Sequence, residues 1–240
     1  MAFLATSAYA QNDEPFFPAS AGTVLLYEDR DADGTVLSFT RDSIAEMTGD
    51  FTDGSAIVYS TLKSNDTVSV TTREFTIFRD GEVIEDMILS LEESVSMALE
   101  LSMKSVDGAD SPEADEAFRE FLEKMTVSGE CRGIPSDIHV GMTLPDYSIG
   151  IKVMFIKLKV AVKDRKVTGR ENITVPAGTF DCYVIEENMS SSGMMMSQRT
   201  VQKSWYARGV GLVMRQTWEK KKLTCTTVLT SVTPGNGGME

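Results

Sequence analysis

Residues 151–163 read Ile-Lys-Val-Met-Phe-Ile-Lys-Leu-Lys-Val-Ala-Val-Lys, and this stretch indicates the kind of fold to expect. Lys157, Lys159 and Lys163 alternate with apolar residues, which is the two-residue period of a β-strand. The lysine face is typical of a solvated or edge-protecting surface, because charged side chains discourage the pairing of sheet edges. The apolar face consists of Met154, Ile156, Leu158, Val160 and Val162.

Four segments before residue 80 show similar alternation and are separated by residues that favour turns. The dipeptides Asp53-Gly54 and Asp80-Gly81 supply the positive φ angles that tight reversals need. Strands joined by short turns pair with their neighbours in sequence, so an antiparallel meander is expected. The predicted strands are Thr23–Glu28, Thr35–Arg41, Ser55–Leu62 and Thr67–Phe78.

The C-terminal third of the chain adds further strands. Pro176-Ala177-Gly178-Thr179 and the segment from Ala207 to Gly211 separate them as turns. The predicted strands are Val167–Val175, Phe180–Glu187, Val201–Tyr206, Leu212–Trp218 and Leu223–Val232.

The middle of the chain has a helical period instead. Met87–Met103 places apolar residues on one helical face, and Ser111-Pro112 forms an N-cap and first turn before a second such stretch, Glu113–Met125. About ten strands with two helices inserted midway predict the α+β class. We expect one large curved antiparallel sheet with both helices packed on one face.

Charge argues against one class of function. The 240 residues include 36 acidic and 23 basic side chains, a net charge of −13. A chain this acidic is a poor match to nucleic acid, whose phosphates need a basic surface. Residues 147–240 carry 14 basic and 7 acidic side chains, so the acidic excess lies before residue 147. No run approaches the roughly 18 apolar residues of a transmembrane helix.

The first ten residues favour export. They are apolar and uncharged and end in Ala8-Tyr9-Ala10, a small-x-small pattern that signal peptidase accepts. The stretch lacks a basic beginning, so residues 1–10 are either the remnant of a signal peptide with a misassigned start codon or a flexible tail. We expect a periplasmic or secreted protein with a single domain over 15–233 and a disordered, glycine-rich tail over 234–240.

Three cysteines leave the redox chemistry open. Cys182 and Cys225 lie in predicted strands and can form a disulfide in an oxidising compartment if those strands are neighbours. Cys131 can pair with either of them, or all three can be small buried apolar residues. With a single histidine, His139, and no Cys-x-x-Cys, a zinc site of standard spacing is excluded.

Two segments contain residue types that ligate metals. Asp29, Asp31 and Asp33 match the beginning of a calcium loop, but the closing acid is missing, which favours a plain hairpin. Met189 and the run Met194-Met195-Met196 surround a serine-rich segment predicted to be a loop. Thioethers bind copper(I), but without nearby histidine or cysteine an adaptable apolar loop is the simpler interpretation. We therefore expect no metal and no other cofactor.

Four short stretches together resemble a known family. They are Ile134-Pro135-Ser136-Asp137 with Gly141-Met142-Thr143-Leu144-Pro145-Asp146, Val175–Tyr183, Trp205–Val213, and Phe17-Pro18 with Gly22 and Tyr27. The set resembles the TapB-like family of exported Gram-negative proteins, a family of unknown function whose fold is similar to that of LolA/LolB-type lipoprotein carriers. The resemblance implies export, a single domain and an open half-barrel with an apolar cavity, and it implies no catalytic residues.

The leading hypothesis is a non-enzymatic protein that binds a lipid or another hydrophobic molecule in the concave face of the half-barrel. This groove would be lined by Met154, Ile156, Leu158, Val160, Val162, Trp205 and Trp218. The alternative is a structural or interaction module of a cell-envelope complex. A hydrolase comes third, because the sequence has no nucleophile elbow, metalloprotease motif or P-loop. A cavity lined by Asp, Glu or Tyr would reopen the enzymatic hypothesis.

Overall fold

The computed structural model describes residues 14–94, 125–153, 156–193 and 196–235. Within them, thirteen strands form a single antiparallel sheet, and residues 87–94 form a helical segment, α1. The fold is nearly all-β, so the predicted α+β class with about ten strands and two helices was wrong. The strands are β1 Val24–Arg30, β2 Val36–Thr48, β3 Ala56–Ser64, β4 Ser69–Arg79, β5 Glu82–Glu85, β6 Met125–Glu130, β7 Ile134–Pro135, β8 Tyr147–Val153, β9 Ile156–Val175, β10 Gly178–Gly193, β11 Met196–Ala207, β12 Gly211–Glu219 and β13 Lys222–Thr233.

The sheet curls back on itself. Its order is β6-β8-β9-β10-β11-β12-β13-β1-β2-β3-β4-β5-β7, so β6 and β7 are its two edges, yet only residues 131–133 separate them in sequence. In addition, the amide of Ala177 in the β9–β10 turn donates to the carbonyl of Leu229 on β13, with an N–O distance of 3.4 Å. Neighbouring strands lie about 4.8 Å apart, so a flat sheet would keep β9 and β13 out of reach of each other.

The predicted N-terminal meander is confirmed. Strands β1 to β4 pair in sequence order, and β5 adds a short strand that the sequence analysis did not identify. Asp80 and Gly81, between β4 and β5, have φ angles of 54° and 73°, as a tight hairpin requires. The last three predicted strands are likewise confirmed as β11, β12 and β13.

Two predictions about the longer strands were wrong. The stretch 151–163 is not one strand, because β8 ends at Val153, β9 begins at Ile156, and these two residues pair with each other. The serine-rich segment after Met189 is not a loop, because β10 continues to Gly193 between β9 and β11. Hydrogen bonds to strands on both sides satisfy the backbone of this segment, which outweighs the turn preference of serine and glycine.

Helix α1 begins at Met87, as predicted. The carboxylate of Asp86 caps the helix by accepting hydrogen bonds from two amides of its first turn. The amide of Asp86 donates to the carbonyl of Phe75, and the amide of Phe75 donates to the Ser90 hydroxyl. The helix therefore covers the part of the β4 edge that β5 leaves unpaired.

Several predictions concern residues outside the described ranges. These are the rest of the first helix, 95–103, the second helix up to residue 124, residues 1–10, and the tail beyond residue 235. Met125, predicted to end the second helix, instead begins β6. In the described part of the chain, no helix is long and apolar enough to cross a membrane.

Buried side chains form four clusters. The largest includes Trp205, Val213 and Leu229 from the β11–β13 region. Smaller clusters contain Phe16 and Phe17 of the segment before β1, and a further cluster joins α1 to β8. The concave side of the curled sheet leaves a cavity among these clusters.

Gly133 lies where the chain crosses from one sheet edge to the other. A Cβ atom there would collide with the carbonyl oxygen of Val83, whereas one at Gly169 would meet nothing closer than a methyl group at 3.8 Å. We expect Gly133→Ala to lower the free energy of unfolding by about 1–3 kcal/mol, because the backbone must shift. The control, Gly169→Ala, should change it by less than about 1 kcal/mol. Urea unfolding measures both, and equal effects would contradict this account.

Candidate functional site

The cavity on the concave side has a volume of about 710 Å³. Strands from both halves of the sheet, α1 and the segment before β1 contribute to its walls. Its apolar members include Leu25, Phe75, Val83, Met87, Leu91 and Met189. Its polar members include Tyr27, Asp42, Tyr59, Glu74, Tyr206 and Arg215. The lining is therefore mixed, and carboxylates and phenols take part in it.

Two buried phenylalanines that precede β1 form an aromatic part of the cavity wall. Phe17 packs edge-on against Phe78 with ring centroids 4.8 Å apart, and Phe16 lies 4.7 Å beneath the guanidinium of Arg208. The amide of Gly209 donates to the carbonyl of Pro15, which ties this segment to the β11–β12 turn. Burial of the two rings thus holds the chain before β1 against the cavity.

One polar part of the wall lies on β1, β2 and β3. Asp42 and Thr61 are directly opposite each other in the β2–β3 register, so their side chains share the concave face. Tyr59 is two residues from Thr61 on β3, and Tyr27 lies on β1 beside β2. We call Tyr27, Asp42, Tyr59 and Thr61 the β1–β3 wall.

The β1–β3 wall contains oxygens that the protein leaves unsatisfied. Thr61 is only 3% exposed, and neither its hydroxyl oxygen nor Oδ1 of Asp42 has a hydrogen bond of good geometry. The two side chains do interact, and this contact lowers the pKa of Asp42 by less than burial raises it. Buried polar atoms are normally hydrogen-bonded, so this pair on the wall of the cavity is short of donors.

Burial changes the ionisation of this wall. Burial, with a smaller contribution from the nearby Glu85 carboxylate, raises the pKa of Asp42 to about 6. Burial and repulsion from the Asp42 and Glu85 carboxylates also raise the pKa of Glu74, although this side chain keeps much of its surface exposed. Burial raises the pKa of Tyr59 as well, so its phenol stays neutral.

The raised pKa of Asp42 predicts a specific pH dependence of stability. Between about pH 4 and pH 6 the folded state binds more protons than the unfolded state, so stability falls as the pH rises. Asp42→Asn removes the buried charge, and we expect this variant to be more stable than the wild type above pH 6 by about 1–3 kcal/mol. Near pH 4 this advantage should disappear. Urea unfolding across this range tests the prediction, and a pH-independent difference would contradict it.

Arg215 on β12 supplies positive charge to another part of the cavity. Its Nε donates to Ser204 Oγ at 3.1 Å, and its Nη2 donates to the Tyr206 hydroxyl at 3.0 Å. The carboxylate of Glu85 lies 4.0 Å away. Burial, followed by the Glu85 charge, raises the pKa of Tyr206 to about 12, so this phenol is neutral. The Arg215 side chain remains 28% exposed and can still meet a ligand.

A second charged pair, Arg165 and Glu187, also lies on the cavity wall, and the protein itself binds its charges. Nε of Arg165 lies 3.2 Å from the Glu187 carboxylate, and the two side chains are only 5% and 14% exposed. The guanidinium also donates to the carbonyls of Pro145 and Gly133, at 3.1 and 3.0 Å, and stacks on the ring of Tyr147. These contacts hold the chain between β6 and β8 against the sheet.

The aspartates of the predicted calcium loop have other partners. Oδ1 of Asp29 accepts from the Thr227 hydroxyl, and Oδ2 lies 3.4 Å from Nζ of Lys63. Oδ1 of Asp31 accepts from two amides of the β1–β2 turn, including that of Asp33. Within the described ranges, no group of three or more His, Cys, Asp and Glu side chains is placed to hold a metal ion.

None of the predicted groove residues whose side chains are described lines the cavity. Val162 is fully buried, and Trp205 belongs to the largest cluster, where its indole N–H donates to Glu171 at 2.6 Å. Met154 lies outside the described residues, and only the backbone of Ile156 is described. None of the other predicted members lines the cavity, namely Leu158, Val160, Val162, Trp205 and Trp218.

The three cysteines are free thiols, and one of the clustered methionines reaches the cavity. Cys182 and Cys225 are free thiols, and β11 and β12 lie between their strands, so the adjacency that a disulfide requires is not met. Cys131 is buried beside Ile149 in the cluster that joins α1 to β8. Burial raises the pKa of Cys182 to about 12, which keeps its thiol protonated. Met189 lines the cavity, whereas residues 194–195 lie outside the described residues.

Sequence reasoning missed the polar cavity residues, although a signal was present. Tyr59, Thr61 and Lys63 occupy alternate positions of β3 and therefore share one face. Such a face is ordinarily interpreted as solvated, yet Thr61 is buried. The alternation of Tyr59, Thr61 and Lys63 was the sequence signal, and it does not by itself distinguish an interior face from a solvated one.

Comparisons with known proteins give a family and a fold. A family model described as DUF3108-like matches residues 20–229. A search of curated proteins finds no match. A crystal structure of "a putative lipoprotein" from Parabacteroides distasonis ATCC 8503 is similar, with a TM-score of 0.66 and 21% identity. So is that of "a putative exported protein with YmcC-like fold" from Bacteroides fragilis NCTC 9343, with a TM-score of 0.65 and 16% identity.

Both alignments cover 92% of this chain and 99% of the other chain. At these identities they show a shared fold. They support the coarser part of the predicted resemblance, a family of unknown function with structural neighbours described as exported or lipoprotein. The TapB-like assignment and the similarity to LolA/LolB-type carriers stay predictions.

Proposed function

The chain belongs to the DUF3108-like family, and we propose that it is an extracytoplasmic binding protein that holds an amphipathic small molecule, such as a single-chain lipid, in its cavity. Export is supported by the Ala8-Tyr9-Ala10 pattern and by the descriptions of the two structural neighbours.

The cavity is the observation that carries this proposal. Its volume of about 710 Å³ lies within the range of roughly 300–1,000 Å³ that small-molecule sites occupy. The wall combines apolar side chains from β4, β5 and α1 with the phenols and carboxylates of β1–β4. Such concave, mixed linings are typical of sites where apolar contacts give affinity and a few polar groups fix orientation.

The lining also restricts the ligand. A pure hydrocarbon would place apolar atoms against Asp42, Thr61 and Arg215 and offer them no hydrogen bond, which is costly. A fully polar ligand would leave the apolar surface of Phe75 and Met87 without a partner. An amphipathic molecule satisfies both parts. The proposed ligand site is therefore mixed in character, unlike the purely apolar groove that the sequence predicted.

The test is native mass spectrometry of the full chain purified from its own host under non-denaturing conditions. We expect a bound small molecule that organic solvent extracts and that has an apolar and a polar part. A ligand-free mass, together with no binding of lysophospholipids or fatty acids in solution, would overturn the proposal.

Two valines provide a matched pair of variants for this test. Val70 lines the cavity and is 49% exposed, whereas Val201 on β11 is 45% exposed and alternates with the cavity residue Gln202. Val70→Trp should obstruct the cavity and reduce the bound ligand, while Val201→Trp should leave it unchanged. Equal occupancy in the two variants would argue against this cavity as the site.

The alternative function, a structural or interaction module of a cell-envelope complex, corresponds to a different outcome of the same purification. It would give a stable protein partner and an empty cavity. Apolar side chains that stay exposed on β1 and β2, Leu26, Val36, Leu37 and Phe39, favour this second candidate.

A further inference from the structure

We infer that the β1–β3 wall binds a primary ammonium group, so that the ligand of the cavity is an amphipathic amine. This inference rests on the proposed function and narrows the ligand class of the same cavity. It follows from three features of the wall: unsatisfied acceptors, a surplus of negative charge and two aromatic rings.

The wall contains hydrogen-bond acceptors that lack donors. Oγ1 of the buried Thr61 and Oδ1 of Asp42 lie on opposing positions of β2 and β3, and neither has a well-formed hydrogen bond. An ionised carboxylate can only accept hydrogen bonds, and a threonine hydroxyl accepts as well as donates. An ammonium group carries three donors and no acceptor, so it can satisfy both oxygens at once.

The charges around Asp42 favour a cation. Glu74 on β4 and Glu85 on β5 both repel its carboxylate. Lys63 offsets part of this repulsion at both carboxylates and Arg215 part of it at Glu74. However, Lys63 lies 3.4 Å from Asp29, and Arg215 donates to neutral hydroxyls beside Glu85. A ligand carboxylate or phosphate at Asp42 would meet like charge, whereas an ammonium would relieve it.

The aromatic rings complete the site. Tyr27 and Tyr59 lie on the concave face of β1 and β3, on either side of the strand that carries Asp42. The Tyr27 hydroxyl donates to the carbonyl of Leu212 at 3.1 Å, which fixes that ring. Burial, with the Asp42 charge as the second cause, raises the pKa of both phenols, so each ring stays neutral. Neutral tyrosine rings attract cations through their π faces.

Calorimetric titration of the full chain at pH 7.5 with three ligands of equal chain length tests this inference. The ligands are dodecylamine, dodecanol and dodecanoate, each kept below its micellar concentration or, for dodecanol, its solubility limit. We expect dodecylamine to bind about tenfold or more tightly than dodecanol, because a charge-assisted hydrogen bond is added. Dodecanoate should bind more weakly than dodecanol.

Variants connect the preference to the wall. Asp42→Asn should abolish the preference for the amine without weakening dodecanol binding. The control, Asp66→Asn, removes the same charge from an exposed position outside the cavity and should retain the preference. Thr61→Val leaves all charges in place and should lower only the amine affinity, which tests the second acceptor independently of Asp42.

Failure of the inference and failure of the proposed function look different. Equal binding of the three ligands, or an amine preference that survives in Asp42→Asn, would overturn the inference while the cavity still bound amphipathic molecules. Absence of binding by any ligand to the folded wild type would overturn the proposed function itself. Lysophosphatidylethanolamine carries the same ammonium on a lipid headgroup. If it binds more tightly than dodecylamine, the source of the ammonium is a lipid headgroup; if it binds more weakly, the source is a free amine.

Discussion

Replacing Arg165 with leucine is expected to lower the free energy of unfolding by about 3–5 kcal/mol. The guanidinium is almost fully buried and is bound on three sides, by the Glu187 carboxylate and by the carbonyls of Pro145 and Gly133. Leucine would leave the Glu187 charge buried without a partner and two carbonyls without a donor. Breaking a buried pair by removing one member costs far more than the pair contributes when intact, because the remaining charge is uncompensated.

Arg170 on the same strand provides the control. It also forms an ion pair, with Asp181 at 2.6 Å, but both side chains are about half exposed, at 47% and 50%. Water already solvates such a pair, so Arg170→Leu should cost less than about 1 kcal/mol. Urea unfolding at pH 7 measures both variants. Similar losses in the two would mean that burial does not determine the effect.

Arg165 also shows why part of the structure could not be predicted from the sequence. The run Lys163-Asp164-Arg165-Lys166 has the composition of a solvated turn or strand face. In the structure, Asp164 has a φ of 54°, and the β9–β10 register shifts between Glu186 and Asn188. A bulge of this kind changes which residues face inward, and it depends on pairing with a distant strand.

The polar lining of the cavity was missed for a related reason. Alternation shows which residues of a strand share a face, but the direction in which that face points depends on how the sheet curls. Tyr59, Thr61 and Lys63 form a polar face of β3 that would be solvated in a flat sheet. Because the edge strands β6 and β7 approach each other, that face lines an enclosed space instead.

Local signals were sufficient where neighbours in sequence are also neighbours in space. The β1–β4 meander, the β11–β13 strands and a helix in the stretch from Met87 were predicted because turn residues and side-chain period indicate them directly. The short strands β5 and β7 were missed, since four and two residues carry too little periodicity to be recognised. Their pairing is specified by the Gly133 crossing and by Arg165, which act over long sequence separations.

The second large effect is expected at Phe17, whose replacement by alanine should lower the free energy of unfolding by about 3–5 kcal/mol. Its ring is 2% exposed and packs against Phe51 and Phe78, with centroids 5.4 and 4.8 Å away, so alanine would leave a space that the cluster cannot fill. Phe39→Ala removes the same group from a ring that is 51% exposed and should cost less than about 1 kcal/mol. Urea unfolding again compares the two.

Because Phe17 also lines the cavity, its variant should bind the proposed ligand more weakly even at temperatures where it remains folded. If Phe17→Ala were as stable as Phe39→Ala, the segment before β1 would not be part of the folded core, and the cavity would lack the wall that this segment supplies.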